Sequence, residues 1–226
     1  IKRVCQRIIC GGQRMSKIDK VNYSHLNWGP YVMKTKAPDY IINKLKIEGK
    51  KTKESYNHKL AGHLDHQFLY PLNVQQWFYN EIRPFVQAYR NGHCKFHGIR
   101  DLNVEFSADD LWVNYMKAGD FNPIHTHGGD YSFVLFLDVP KQLKKEQEKF
   151  KGTSSKPGAL MFEYTQQAKP RWATTGAVVQ PETGDFFMFP ALLQHWVCPF
   201  KTKVTRISVS GNLRIRNKEK LPSDYF

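Results

Sequence analysis

The sequence predicts a mainly β fold with flanking helices, closed as a barrel or stacked as a sandwich. Three observations carry this expectation. Six short runs rich in Val, Phe, Trp and Tyr follow residue 101, namely LWVNYM, YSFVLFLDV, ALMFEY, GAVVQP, DFFMFP and TRISVSGNLRI. Gly and Pro punctuate them, which is a strand-and-turn texture. Apolar residues recur at helical spacing within residues 38–90.

The first fourteen residues, IKRVCQRIICGGQR, hold four basic residues and no acid. They read as a short basic leader, or as an artefact of where the reading frame was opened, and stand outside the fold. Residues 15–226 then form one domain, with helical support over 15–100 and the β-rich core over 101–216. Pro38 opens a helix in which Ile41, Ile42 and Leu45 share a face and Gly49 is the stop. A second helix runs over 74–90 on a stripe of Trp77, Phe78, Ile82, Phe85 and Val86. Pro84 kinks it and Asn91-Gly92 ends it. Residues 141–158, charged and then Gly/Ser/Pro-bearing, read as a surface insertion between strands.

The net charge is 34 − 20 = +14, which favours anionic partners: nucleic acid, acidic protein or a small dicarboxylate. The lysines are dispersed, so a solvated basic surface explains the charge equally well. No motif of an established nucleic-acid module is present. The longest apolar run, FFMFPALL at 186–193, is far shorter than the roughly 20 residues a membrane helix needs. Cys5, Cys10, Cys94 and Cys198 show no CxxC spacing, which favours a reduced, cytoplasmic setting. Oligomeric state is not legible.

The chemistry concentrates in PIHTHGGDYSFVLFLDVP, residues 123–140. On a strand, residues i and i+2 share a side, so His125 and His127 can face one interior. A third imidazole, His195, lies in GDFFMFPALLQHWV, after a short loop. Eleven residues further on, Arg206 and Ser208 again stand at i and i+2. An inward Arg is costly without an anion to pair with, and Arg beside a hydroxyl suits a carboxylate. Imidazoles at one end and an Arg/Ser pair deeper in describe a metal pocket with an acid-binding floor; two histidines and a carboxylate on one face, with open positions, is the arrangement of non-haem Fe(II) oxygenases. His58, His63, His66, His93 and His97 match no common zinc spacing.

These residues resemble the 2-oxoglutarate/Fe(II)-dependent dioxygenase family over about residues 101–215. Its HxD/E…H triad corresponds to His125 and His195, and its Arg-x-Ser pair to Arg206 and Ser208. VNYMKAGDFNPIHTH is similar to the Tyr-x-x-x-Gly approach of prolyl-hydroxylase-like members, which makes Tyr115 a cosubstrate-binding tyrosine. KLAGHLDHQFLY, with the GP of NWGPYV before it, resembles small oxygenases of phage and marine microbial origin. The resemblance implies a double-stranded β-helix (jelly-roll, cupin-like) core, with Fe(II), 2-oxoglutarate and dioxygen as cofactors. It implies hydroxylation of a C–H bond with release of succinate and CO2, and a protein or peptide substrate such as peptidyl proline. His125, His195 and Arg206 would be catalytic.

One departure stands out: His127 occupies the position of the family's Asp or Glu. Three outcomes are open. The ion takes three histidines, as in related cupins; or Asp130 swings in from the Gly128-Gly129 turn; or water fills the place. Asp130 is equally suited to a turn role on its own backbone. Phe133, Leu135, Phe187 and Trp196 are candidate apolar walls or ordinary core. Two alternatives to the dioxygenase remain: a three-histidine cupin-type metalloprotein that does not use 2-oxoglutarate, and a non-catalytic basic binding module.

Overall fold

A computed structural model describes residues 29–100, 104–153, 156–164 and 176–216. The first fourteen residues lie outside that set. The strands are β1 (Met33–Lys36), β2 (Gln67–Leu69), β3 (Phe106–Met116), β4 (Asn122–His125), β5 (Tyr131–Asp138), β6 (Leu160–Glu163), β7 (Gly176–Val179), β8 (Asp185–Pro190), β9 (Gln194–Val197) and β10 (Arg206–Ile215). The helices are α1 (Asp39–Lys51), α2 (Leu72–Glu81), α3 (Arg83–His97) and α4 (Lys141–Lys149). Two antiparallel sheets result: six strands in the order β1-β8-β5-β10-β3-β2, and four in the order β4-β9-β6-β7. This is the mainly β, double-stranded β-helix architecture that the sequence predicts, with helices against the larger sheet.

Side-chain alternation makes the larger sheet two-faced. On β5 and β8, Phe133, Leu135, Phe186 and Met188 join the cluster under the helices, and Phe136, Phe187 and Phe189 join the cluster between the sheets. These strands are apolar on both faces, hence the continuous runs FVLFL and FFMF. Strand β10 differs. Val209, Leu213 and Ile215 face the helices, and Arg206, Ser208 and Ser210 line the inter-sheet pocket.

Helix α1 begins behind Pro38 and buries Ile41, Ile42, Leu45 and Gly49. Asp39 in its first turn and Lys50 and Lys51 in its last suit the helix dipole. The second predicted helix is two. The chain breaks at Ile82 (φ −86°, ψ 1°) and restarts with Pro84 in the first turn of α3, where a missing N–H costs nothing. Nor does Asn91-Gly92 end α3. It continues to His97 and stops at Gly98, whose left-handed φ of 68° lets its N–H turn back to Cys94 and Lys95. The charged insertion contains α4, seated by buried Leu143 and tied to the 201–202 loop through Glu146, which accepts from the backbone N–H groups of Lys201 and Thr202 at 2.9 Å. The helical half of the chain also supplies strands: β1 pairs with β8, and β2 pairs with β3. Among the described residues, no helix is long and apolar enough to cross a membrane.

Candidate metal and carboxylate site

Strand β4 ends at His125, which stands opposite His195 on β9. His195 thus follows a short turn at 191–193, as the second residue of β9. The chain then turns so that the His127 N–H donates to the Ala191 carbonyl, 2.9 Å. The three imidazoles converge: one ring nitrogen from each lies within 4.8 Å of the others. His195 Nε2 is 3.1 Å from His127 Nε2. Two nitrogens each about 2.1 Å from one ion, at a right angle, stand about 3.0 Å apart, so the spacing fits a shared metal.

Backbone carbonyls fix two of the rings. His125 Nδ1 donates to the Pro123 carbonyl at 2.7 Å, and His195 Nδ1 to that of Leu193 at 2.8 Å. A carbonyl accepts only, so the hydrogen sits on Nδ1 and the Nε2 lone pair is left for a ligand. Burial, then the neighbouring His195 and His125, lowers the His127 pKa to about 3. Burial, then His125, lowers that of His195 to about 4, and burial also lowers that of His125. All three rings are therefore neutral at physiological pH, as metal ligands must be.

Asp130 is not part of this group. Gly129 (φ 100°) turns the chain so that the Asp130 carboxylate accepts the Ile215 N–H at 2.8 Å, while its N–H donates to Leu213 and its carbonyl accepts from Ala191. The acid ties the end of β10 to the start of β5 instead of approaching the histidines.

Arg206 lines the same pocket and is 3% exposed. Its guanidinium donates to the Gly158 carbonyl (2.9 Å), contacts Met116 Sδ (2.9 Å) and lies 5.2 Å from the Phe136 ring centre. No carboxylate pairs with it among the described residues, and its Nε has no hydrogen-bond partner. Burial lowers its pKa to about 10, so it stays charged at neutral pH. A buried cation lacking an anion is costly, and a bound carboxylate removes that cost. The residues present fit both a metal ion and an acid cosubstrate.

Tyr115 is a correction. On β3, Trp112 and Asn114 line the pocket, and Tyr115 packs on the opposite face, against Phe68 and the helix-side cluster. Its hydroxyl sits beside Gly49 of α1, 3.0 Å from where a Cβ there would lie. The one-residue step of a strand reverses the side, so Asn114 occupies the place expected for Tyr115. Of the candidate walls, Phe133 packs its ring on Phe78 and Tyr79 in the helix-side cluster, Leu135 joins the same cluster and Phe187 joins the inter-sheet cluster. Trp196 borders a separate surface cleft beside α4. Gln67 and Asn114 went unrecognised in the sequence, although an amide inside the apolar run LWVNYM was a signal that something polar meets it.

The double-stranded β-helix with three convergent imidazoles and a buried, unpaired arginine defines a class of metal-dependent proteins. Residues 110–212 match the family model described as "Putative 2OG-Fe(II) oxygenase". Over this segment, which holds the three histidines, Arg206 and Ser208, the chain is similar to 2-oxoglutarate/Fe(II)-dependent oxygenases. Among solved structures it is similar to HygX from Streptomyces hygroscopicus with nickel and 2-oxoglutarate bound (TM-score 0.53, 9% identity, covering 81% of this chain and 82% of that one). It is similar to a Pseudomonas putida prolyl-4-hydroxylase (0.51, 15%, 82% and 93%). A third is SnoN, the non-heme alpha ketoglutarate dependent epimerase from nogalamycin biosynthesis (0.52, 13%, 81% and 78%). At these identities the likeness is one of fold. No curated protein matches.

Proposed function

We propose that this chain hydroxylates a C–H bond of a polypeptide side chain, peptidyl proline first, with His125, His127 and His195 holding Fe(II). Arg206 and Ser208 would take the distal carboxylate of 2-oxoglutarate. The observation that carries this reading is the buried guanidinium of Arg206, without an acid partner, in the same pocket as the histidine triad. The fold shared with a prolyl-4-hydroxylase supports the substrate class.

Bound Fe(II), with 2-oxoglutarate and dioxygen, supplies the oxidising chemistry that ends in succinate and CO2. The chain's residues bind and orient. His125 and His195 present Nε2 because their Nδ1 hydrogens are held by the backbone. Arg206 and Ser208 draw the acid into the pocket and fix which end faces the triad. Val134, Phe136 and Phe189 on the larger sheet and Leu160 and Val197 on the smaller one line the same pocket and exclude water.

The test is succinate formation from 2-oxoglutarate under Fe(II) and air, with proline-bearing peptide pools and, separately, nucleic-acid pools. Peptide-stimulated succinate with a 16-dalton gain on a prolyl peptide is expected. Stimulation by nucleic acid alone overturns the polypeptide assignment. The all-histidine donor set favours a second reading, a cupin-type metalloprotein that does not use 2-oxoglutarate. In that case replacing Arg206 leaves turnover of the true substrate intact.

A further inference from the structure

The inner face of the larger sheet carries a polar stripe across three strands. Gln67 on β2 stands opposite Asn114 on β3, and Asn114 stands opposite Ser208 on β10, with Ser210 two residues further along. All four line the pocket that holds the triad and Arg206. Gln67, Asn114 and Ser208 are buried. Gln67 lies outside the family-matched segment 110–212.

The hydrogen bonds in this stripe have one direction. Gln67 Nε2 donates to Asn114 Oδ1 at 2.8 Å, which turns the other end of the Asn114 amide toward β10. There Asn114 Nδ2 approaches Ser208 Oγ at 3.5 Å and Ser210 Oγ at 3.4 Å, one hydrogen for each. A serine hydroxyl that accepts at its oxygen keeps its single hydrogen for another partner. The inner-face neighbours Arg206, Val134 and Phe136 offer no acceptor, because guanidinium only donates and the others are apolar. The hydroxyl hydrogens are left for the cavity. A carboxylate only accepts, so the arrangement suits it and disfavours a neutral end group.

We propose that Gln67 and Asn114 are positioning residues: their fixed hydrogen-bond direction makes Ser208 and Ser210 donors toward the distal carboxylate of the cosubstrate beside Arg206. This rests on the function proposed above. The pair thereby selects a dicarboxylate over a 2-oxo monoacid of the same length.

The experiment compares wild type, Gln67→Glu and Gln67→Met. The Glu variant offers only acceptors, so Asn114 turns its Nδ2 toward residue 67 and its Oδ1 toward the serines, whose hydrogens then point away from the ligand. The Met variant is neutral and unpins Asn114. Ni(II)-loaded protein is titrated calorimetrically with 2-oxoglutarate and with 2-oxopentanoate, which lacks the distal carboxylate. Wild type prefers 2-oxoglutarate. The preference falls about tenfold or more in Gln67→Glu and by a smaller factor in Gln67→Met, with the Ni(II)-induced rise in melting temperature unchanged. A merely structural role weakens both acids equally. An unchanged preference ratio in Gln67→Met, which keeps the pocket neutral if the Glu variant does not fold, overturns the positioning role. Wild type that binds neither acid overturns the function reading, and this one with it.

Discussion

His195 and His127 face each other through Nε2 atoms 3.1 Å apart, one on β9 and the other just beyond the end of β4. Two ring nitrogens that close share either a proton or a cation. If they share Fe(II), His127→Ala weakens metal binding at least about tenfold, and His127→Asp, which restores an anionic ligand, retains it. Metal-induced shifts in melting temperature, reversed by chelator, report both.

Arg206→Met should separate stability from ligand binding. The substitution removes a buried charge, which offsets the lost bond to the Gly158 carbonyl. Stability of the metal-free protein should stay within about 2 kcal/mol of wild type, and the melting-temperature rise with 2-oxoglutarate should vanish. Chemical denaturation and differential scanning fluorimetry make the comparison.

Asp130→Ala should cost about 1–2 kcal/mol, because the Ile215 N–H loses its acceptor. Fe(II) affinity should not change. Loss of Fe(II) binding with stability preserved would instead make Asp130 a ligand.

Acid should destabilise the metal-free protein from about pH 6.5 downward. Burial, then His97, lowers the His93 pKa to about 4. The unfolded chain therefore binds the proton first. The contribution of His93 is fully present above its ordinary pKa near 6.5 and is lost as pH falls toward 4. His93→Gln cannot take that proton, so its melting temperature should fall less steeply between pH 6.5 and 4 than that of wild type.

Gly98→Ala isolates backbone strain. A Cβ there meets nothing within 4 Å, so the left-handed φ of 68° alone sets the penalty, about 1–2 kcal/mol by urea denaturation. Asn at this position should cost less.

Much of the site was legible because strand alternation is a short-range rule. Arg206 and Ser208 share a face whatever the rest of the chain does, and His125 with His195 follows once the strands pair. The same rule explains the error at Tyr115. A motif supplies spacing but not which parity faces inward, and a one-residue shift exchanges Tyr115 for Asn114. Asp130 was ambiguous because its partner, the Ile215 N–H, is 85 residues away. The break at Ile82 was half visible in Pro84, while α3 ran through Asn91-Gly92 because residues on either side of that pair pack: Tyr89 and Cys94 are buried. Strands β1 and β2 escaped notice because four and three residues are too few to show a period.

Those two short strands border the six-stranded sheet, one on each side. A fragment cut after residue 100 would strip both, baring unpaired backbone along β8 and β3 while removing the helices that shield the outer apolar cluster. Such a fragment is built to recruit other chains edge to edge, so the family-matched segment is a poor candidate for expression alone.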